Sequence, residues 1–361
     1  MESKIAATPF EGWGFDATRP LVIAGPCSAE TEEQVLETAR RLKPTRTQVF
    51  RAGIWKPRTR PNSFEGVGVK GLKWLKMVKE ETGLLTTTEV ANAQHAYEAL
   101  KYGVDILWIG ARTTVNPFTI QEIADALSGV DIPVCVKNPV NPDVDLWIGS
   151  IERLQKVGIK RIAAVHRGFS SFSETRYRNS PNWQIPIELK RIRPDLPLIC
   201  DPSHISGRRN LLLEVSQKAM DLNFDGLMIE THPDPDNAWS DAKQQITPEE
   251  LGQLLGQLIL RKTDPGSNFQ HQLEALRCEI DRLDQELMNI LEDRMKVAAG
   301  IGQCKKENGV TILQPARWDQ IISKYLAVGE KKGFSEEFIR KLFMAIHQES
   351  INTQTKIMND E

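Results

Sequence analysis

Eight short apolar runs recur between about residues 20 and 260, with longer amphipathic stretches between them, and no other feature of the sequence restricts the fold as tightly. The runs are residues 21–24, 47–50, 84–87, 106–109, 132–136, 161–165, 198–200 and 226–229. Helical patterns such as 31–42, 71–81 and 146–157 separate them. Nearly continuous apolar runs lying between helices belong to parallel strands covered on both faces. Eight such units in roughly 240 residues predict an α/β fold of the (β/α)8 TIM barrel kind. An open doubly wound sheet is the alternative, and no dinucleotide-type glycine fingerprint supports it.

The texture changes after residue 260. Residues 1–260 are expected to form the barrel, 261–269 a linker around Asp264-Pro265-Gly266, and 270–361 a smaller all-α domain of three helices. Leu273, Leu276, Ile280, Leu283, Leu287 and Ile290 recur at spacings of three and four, the stripe of one long helix. Asn308-Gly309 offers it a C-cap. A second helix follows Pro315. A third begins at Ser335-Glu336-Glu337-Phe338, an incomplete capping box because its last position is Phe338, and runs to about Met358. Three helices cannot bury so long a stripe alone, so the domain is expected to form a homodimer, with higher assembly left open.

Composition excludes several partners. A net charge of -2 on 361 residues points to neither nucleic acid nor membrane. No apolar run approaches transmembrane length, and residues 1–13 lack a signal-type apolar core. Five scattered cysteines suit a reducing, cytoplasmic setting rather than a disulfide framework. Only about twenty residues precede the first strand, so no separate N-terminal regulatory domain is expected.

Barrel active sites lie at the C-terminal ends of the strands. There the sequence places Cys27, Arg51, Lys56, Arg58, Arg112, Lys137, His166, Arg167, His204, Glu230 and Asp241. The six arginines and lysines would repel one another unless anions bind among them, and arginine forks suit phosphate and carboxylate oxygens. Cys27, His204, Glu230 and Asp241 form a mixed donor set for a divalent metal ion such as manganese, iron, cobalt or zinc.

Five segments occur in order: Gly25-Pro26-Cys27-Ser28, Lys56-Pro57-Arg58-Thr59, Gly110-Ala111-Arg112, Asp201-Pro202-Ser203-His204 and Glu230-Thr231-His232-Pro233. With them the region 20–260 resembles the short-barrel subtype of 3-deoxy-D-arabino-heptulosonate 7-phosphate (DAHP) synthase. The resemblance implies a metal-dependent condensation of phosphoenolpyruvate with erythrose 4-phosphate. It assigns the metal to Cys27, His204, Glu230 and Asp241, and phosphoenolpyruvate to Arg51, Lys56, Arg112, Lys137 and Arg167, beside Ala111. It assigns the sugar phosphate to Lys56, Arg58 and Thr59, beside Pro57, and makes Lys56, Lys137 and His204 participants in the chemistry. The sister synthase acting on arabinose 5-phosphate resembles a Lys-Ala-Asn-Arg-Ser pattern where this chain has Lys56-Pro57-Arg58-Thr59.

In the helical domain the apolar stripe reaches residue 294 and finds Arg294, with Lys305 about three turns on along nearly the same face. Cations on a core stripe are costly unless paired. Salt bridges to Glu279, Asp281, Glu292 or Asp293 would be one answer, and a bound anion another. Arg277 lies seventeen residues before Arg294, roughly 25 Å along the axis, so an antiparallel second copy would have to bring Arg277 to the same ligand. Leu273-Glu274-Ala275-Leu276-Arg277, Asp293-Arg294, Gly302-Gln303-Cys304-Lys305 and Ser350-Ile351-Asn352-Thr353-Gln354 together resemble the all-helical chorismate mutases. That likeness implies a pocket of Arg277 from the partner with Arg294, Lys305, Arg317, Ser350 and Gln354. In it chorismate would rearrange to prephenate, with Arg294, Lys305 and Gln354 catalytic. Members of that family often carry an acidic residue just after the second-helix arginine and another a few residues earlier, where this chain has Trp318 and Gln314. The departure keeps a second reading open, in which the helices sense prephenate or chorismate and regulate the barrel.

Overall fold

The computed structural model describes residues 6–13, 19–56, 64–171, 176–261 and 267–359. The chain divides into two compact units, Met1–Thr263 and Asp264–Glu361. In the first, eight parallel strands close into a barrel in sequence order: β1 (Leu21–Gly25), β2 (Val49–Arg51), β3 (Leu85–Val90), β4 (Ile106–Ile109), β5 (Val134–Lys137), β6 (Ile162–His166), β7 (Leu198–Cys200) and β8 (Gly226–Glu230). β8 pairs back onto β1 from Leu21 opposite Gly226 to Gly25 opposite Glu230, so an open sheet is ruled out. The main outer helices are α1 (Glu32–Leu42), α2 (Lys70–Thr82), α3 (Ala93–Lys101), α4 (Pro117–Ala126), α5 (Val144–Lys156), α6 (Gln184–Ile192), α7 (Leu212–Asp221) and α8 (Pro248–Gln257). Their starts follow local chemistry. Thr31, Asn92, Asn116 and Asp143 accept hydrogen bonds from the first free backbone N–H groups, and Thr247 with Glu250 completes a capping box.

Side-chain alternation along each strand divides the core into two layers. Val22, Phe50, Leu107, Val136, Ala164 and Leu227 face outward and pack beneath the helices. Leu21, Ile23, Val49, Trp108, Cys135, Val165, Ile199 and Met228 face inward, with Phe10 and Trp13 joining them. The same period of two carries on past the apolar stretch. Two residues beyond Val49 stands Arg51; beyond Cys135, Lys137; beyond Val165, Arg167; beyond Ile199, Asp201; and beyond Met228, Glu230. The pattern that fills the barrel thus also delivers ionisable groups to its C-terminal mouth.

The second unit consists of α9 (Ser267–Glu307), α10 (Pro315–Lys331) and α11 (Glu336–Asn359). α9 begins at Ser267, inside the span expected to be linker, because Pro265-Gly266 are the last helix-breaking residues before it. It ends where Gly309 adopts a left-handed φ of 63°. Ser335 accepts from the backbone N–H of Phe338 at 3.2 Å, which is the half of the capping box that the sequence allows. α9 packs on α11 through Gly302, where a Cβ would sit 3.1 Å from the Cα of Gln354. Leu276, Ile280, Leu283, Leu287 and Ile290 remain between 48% and 64% exposed along α9. Among the described residues no helix is long and apolar enough to cross a membrane.

Candidate active sites

The barrel mouth is a mixed-charge site in which Arg51, Lys137 and Arg178 each face a carboxylate. Arg51, 1% exposed at its side chain, donates from Nη2 to Glu230 Oε1 at 3.0 Å. Lys137 Nζ donates to Asp201 Oδ2 at 2.7 Å, and His204 Nδ1 lies 2.8 Å from the same oxygen. Lys56 Nζ stands 3.1 Å from Cys27 Sγ, which is 3.4 Å from Asp241 Oδ2. Gln244 donates to Glu230 Oε2 at 2.6 Å and accepts from Arg178, which also bonds Asp241 Oδ1 at 3.0 Å. Burying a charge is expensive unless it is paired, and these pairings meet that cost. Among the described residues Nε and Nη1 of Arg51 are left buried with no hydrogen-bond partner. Its guanidinium lies 4.8 Å from the centre of the Trp108 ring, and Lys137 Nζ lies 5.8 Å from that centre.

Cys27, Glu230 and Asp241 each offer a donor atom, all within 4.8 Å of one another. His204 stands at the edge of this set, its Nε2 3.8 Å from Glu230 Oε1 and its Nδ1 facing Asp201. Thiolate, carboxylates and imidazole fit a divalent transition metal. Burial, and then the charge of Glu230, push the Cys27 thiol up to about 12. Burial would raise Asp241, but Arg178, His204 and Lys56 hold it at about 2. Burial also pushes His204 down, against Asp201, which leaves a neutral ring able to donate a lone pair.

The loop that carries Asp241 is pinned to the loop that carries Cys27. Glu30, 6% exposed, accepts from the backbone N–H of Trp239 at 2.7 Å, and its other oxygen lies 3.2 Å from His232 Nε2. Ser28 and Ser240 hydroxyls meet at 2.5 Å, and the Cys27 N–H donates to Gln245 Oε1 at 2.9 Å. Asp241 itself adopts a left-handed φ of 49°, unusual for a residue with a Cβ and sustained by these contacts.

Of the other residues named from the sequence, Arg167 is buried and donates to Asn179 Oδ1 at 2.7 Å, and Arg112 is exposed on the single-turn helix that opens at Ala111. Pro57, Arg58 and Thr59 lie outside the described residues. His166 is a correction. It follows Val165, so alternation turns it outward, into a buried cluster with Phe169, Trp183 and Phe224, where burial pushes its ring down to about 3. Sequence reasoning passed over Asp201 as a functional group, although it lies two residues beyond an inward Ile199. It also passed over Glu89, which accepts from Trp108 Nε1 at 3.0 Å. Arg178 and Gln244 sit in loops, where no periodicity could have marked them.

The helical unit holds a cavity of about 360 Å³ lined by Arg294, Lys305, Arg317, Gln314, Trp318, His347, Ser350 and Gln354 together with apolar side chains. Among the described residues it is lined by three cations and no acid. Arg294 Nη1 donates to Ser350 Oγ at 2.5 Å, and Lys305 Nζ reaches Ile312 O at 2.5 Å and Gln354 Oε1 at 3.2 Å. Of the acids that could have neutralised Arg294, Glu279 pairs with Arg282, Glu292 and Asp293 pair with Lys296, and Asp281 makes no ion pair with it among the described residues. Arg277 faces solvent beside Glu274 at 3.6 Å and is not among the residues lining this cavity.

A closed parallel barrel whose mouth combines buried arginine and lysine with a thiol and carboxylate donor set places the first unit among the TIM-barrel proteins that carry their active site at the C-terminal ends of the strands. Residues 12–263 match the profile of the DAHP synthetase I family, and the chain belongs to that family. Residues 276–355 match chorismate mutase type II. The chain therefore carries a DAHP synthase domain, a transferase, and a chorismate mutase domain, an isomerase. It is 33% identical to the phospho-2-dehydro-3-deoxyheptonate aldolase of Thermotoga maritima over 66% of this chain and 68% of that one. The crystal structure of the Thermotoga enzyme superposes with a TM-score of 0.59 at 32% identity, covering 65% of this chain and 67% of that one. A 2-dehydro-3-deoxyphosphooctonate aldolase of Legionella pneumophila is 29% identical over 68% of this chain and 93% of its own length.

Proposed function

We infer that the barrel condenses phosphoenolpyruvate with erythrose 4-phosphate to give DAHP and phosphate. The observation that carries this reading is the pairing of two features at one mouth: the Cys27, Glu230 and Asp241 donor set, and beside it Arg51, whose Nε and Nη1 no described residue hydrogen-bonds. Cys27, Glu230, Asp241 and the adjacent His204 would hold a divalent metal ion, which when bound polarises a carbonyl oxygen. Arg51, Lys137, Arg167 and Arg112 would bind the phosphate and carboxylate of phosphoenolpyruvate, with Lys56, Arg58 and Thr59 left for the sugar phosphate. Holding both molecules in this lined mouth fixes the reacting carbons against each other. Lys137 and Lys56 are the groups placed to hold or move protons near the reacting atoms. Substrates of this kind are soluble metabolites, in keeping with work in the cytoplasm.

The helical unit on this reading rearranges chorismate to prephenate. A cavity with three cations and no acid suits a dicarboxylate. Arg294 and Arg317 would clamp the carboxylates, with Ser350 orienting Arg294, while Lys305 and Gln354 face the ether oxygen where charge develops. A second copy of α9, antiparallel, would cover the exposed stripe from Leu276 to Ile290 and bring its Arg277 to the cavity, so the unit is read as a homodimer. The Gln314 and Trp318 departures favour a second reading, a ligand-sensing role for the cavity. Assays on purified protein test both parts. Condensation activity should vanish on chelation and return with added manganese, while chorismate should be consumed without metal. Condensation untouched by chelator would remove the metal from the account, and chorismate left intact would favour the sensor.

A further inference from the structure

Among the polar groups on the cavity of the helical unit, His347 is one to which the reading above gives no work. His347 lies on α11 three residues before Ser350 and seven before Gln354, so all three project from one face toward the cavity. Its imidazole stacks on the indole of Trp318 with ring centres 4.2 Å apart and planes 17° apart. No described residue hydrogen-bonds to either ring nitrogen. The ring is thus fixed in place by a neighbouring helix yet keeps its polar edge uncommitted.

Chemical elimination gives that edge a task, on the reading that chorismate is the ligand. Chorismate presents two carboxylates, an ether oxygen and one secondary hydroxyl. Arginines suit the carboxylates, and Lys305 with Gln354 suits the ether oxygen. The hydroxyl proton needs an acceptor, which neither a cation nor the donor-only indole of Trp318 can offer. Gln314 and His347 are the neutral groups left on the lining, and only His347 is held by an aromatic platform. We propose that His347, oriented by Trp318, is the residue that recognises the substrate hydroxyl in this cavity. Its electrostatic setting agrees. Partial burial, then the cations Arg294 and Lys305, push the imidazole down, and Arg317 adds a third cation from α10, with no acid on the lining to oppose them. The ring is therefore neutral at neutral pH, with one nitrogen free to accept a hydroxyl proton. Trp318 is a positioning residue here, acting through the imidazole.

The test compares chorismate with its analogue lacking the hydroxyl, in the wild-type protein and in His347→Phe, which keeps the stack and removes both nitrogens. A site built to bond a hydroxyl rejects the analogue that lacks it, so wild type should prefer chorismate by about tenfold or more in kcat/KM. In His347→Phe that preference should fall close to one, because turnover of chorismate drops while turnover of the analogue holds. A damaged fold would depress both substrates together and leave their ratio unchanged, and an unchanged ratio in this variant would overturn the proposal. Trp318→Leu should lower the ratio part of the way; a Trp318→Leu ratio equal to wild type would remove the platform from the proposal. If wild type turns over neither compound, the mutase reading itself falls and this inference with it, an outcome distinct from an active enzyme that is indifferent to residue 347.

Discussion

The two cavities of this chain handle charge in opposite ways. At the barrel mouth three cations already have an anion: Arg51 has Glu230, Lys137 has Asp201 and Arg178 has Asp241. In the helical unit Arg294, Lys305 and Arg317 converge with no acid among the described lining residues, and their contacts are one hydroxyl, one backbone carbonyl and two side-chain amides. A prepaired site holds its shape before any ligand arrives and can also receive a metal ion. An unpaired one is incomplete until a dianion enters. The difference follows from burial. Glu230 and Asp201 are fully buried, where an unpaired ion is intolerable, whereas the helical cavity is open to water that can solvate its cations.

The largest effect should come from breaking the prepaired site. Glu230→Gln alters the proposed metal site and removes the charged partner of Arg51 together, and is expected to cost on the order of a thousandfold or more in condensation rate. Steady-state condensation assays would reveal it, and chorismate turnover in the same preparation should be intact. Arg294→Ala makes the mirror-image change. Losing one preorganised electrostatic contact should lower kcat/KM for chorismate by about 10²–10³-fold, with condensation unaffected.

Smaller effects probe the frames that hold each site. Glu30→Gln weakens the tie from the Cys27 loop to His232 and Trp239, and with it the placement of Asp241. Groups at one remove from a metal typically change affinity by about 10–100-fold, a loss that titration calorimetry with manganese would measure. Gly302→Val would force α9 away from Gln354 on α11 and should destabilise the helical unit by about 1–3 kcal/mol. Thermal unfolding followed by circular dichroism would reveal it, together with weaker binding of a dicarboxylate. A Gly302→Val protein with unchanged melting and binding would show that the close approach of the helices does not shape the cavity.

Much of this was legible in the sequence because two periodicities carry it. The recurrence of nearly continuous apolar runs between helices made the barrel legible, and position at the strand ends marked Arg51, Lys137, Arg167 and Glu230; alternation, applied once the strands are placed, turns these inward and His166 outward, a consequence that position at the strand end alone conceals. The 3.6-residue period marked Arg294 and Lys305 as cations on an apolar stripe. Neither rule reaches into loops. Arg178, Gln244 and the pair Glu30 and His232 owe their places to turns and long-range contacts, between 14 and 202 residues apart in sequence for the bonds Gln244 makes to Glu230 and His232 makes to Glu30. His347 was hidden for another reason. A histidine on a helix beside its apolar face looks like any partly buried histidine until Trp318 from another helix is seen stacked on it.

The claim that two independent chemistries share this chain is tested most directly by assaying Glu230→Gln and Arg294→Ala side by side, each for condensation and for chorismate turnover. The account predicts a crossed result: Glu230→Gln loses condensation and keeps chorismate turnover, and Arg294→Ala does the reverse. Loss of condensation in Arg294→Ala with no chorismate turnover in wild type would contradict it, and would make the helical cavity a regulatory site of the barrel.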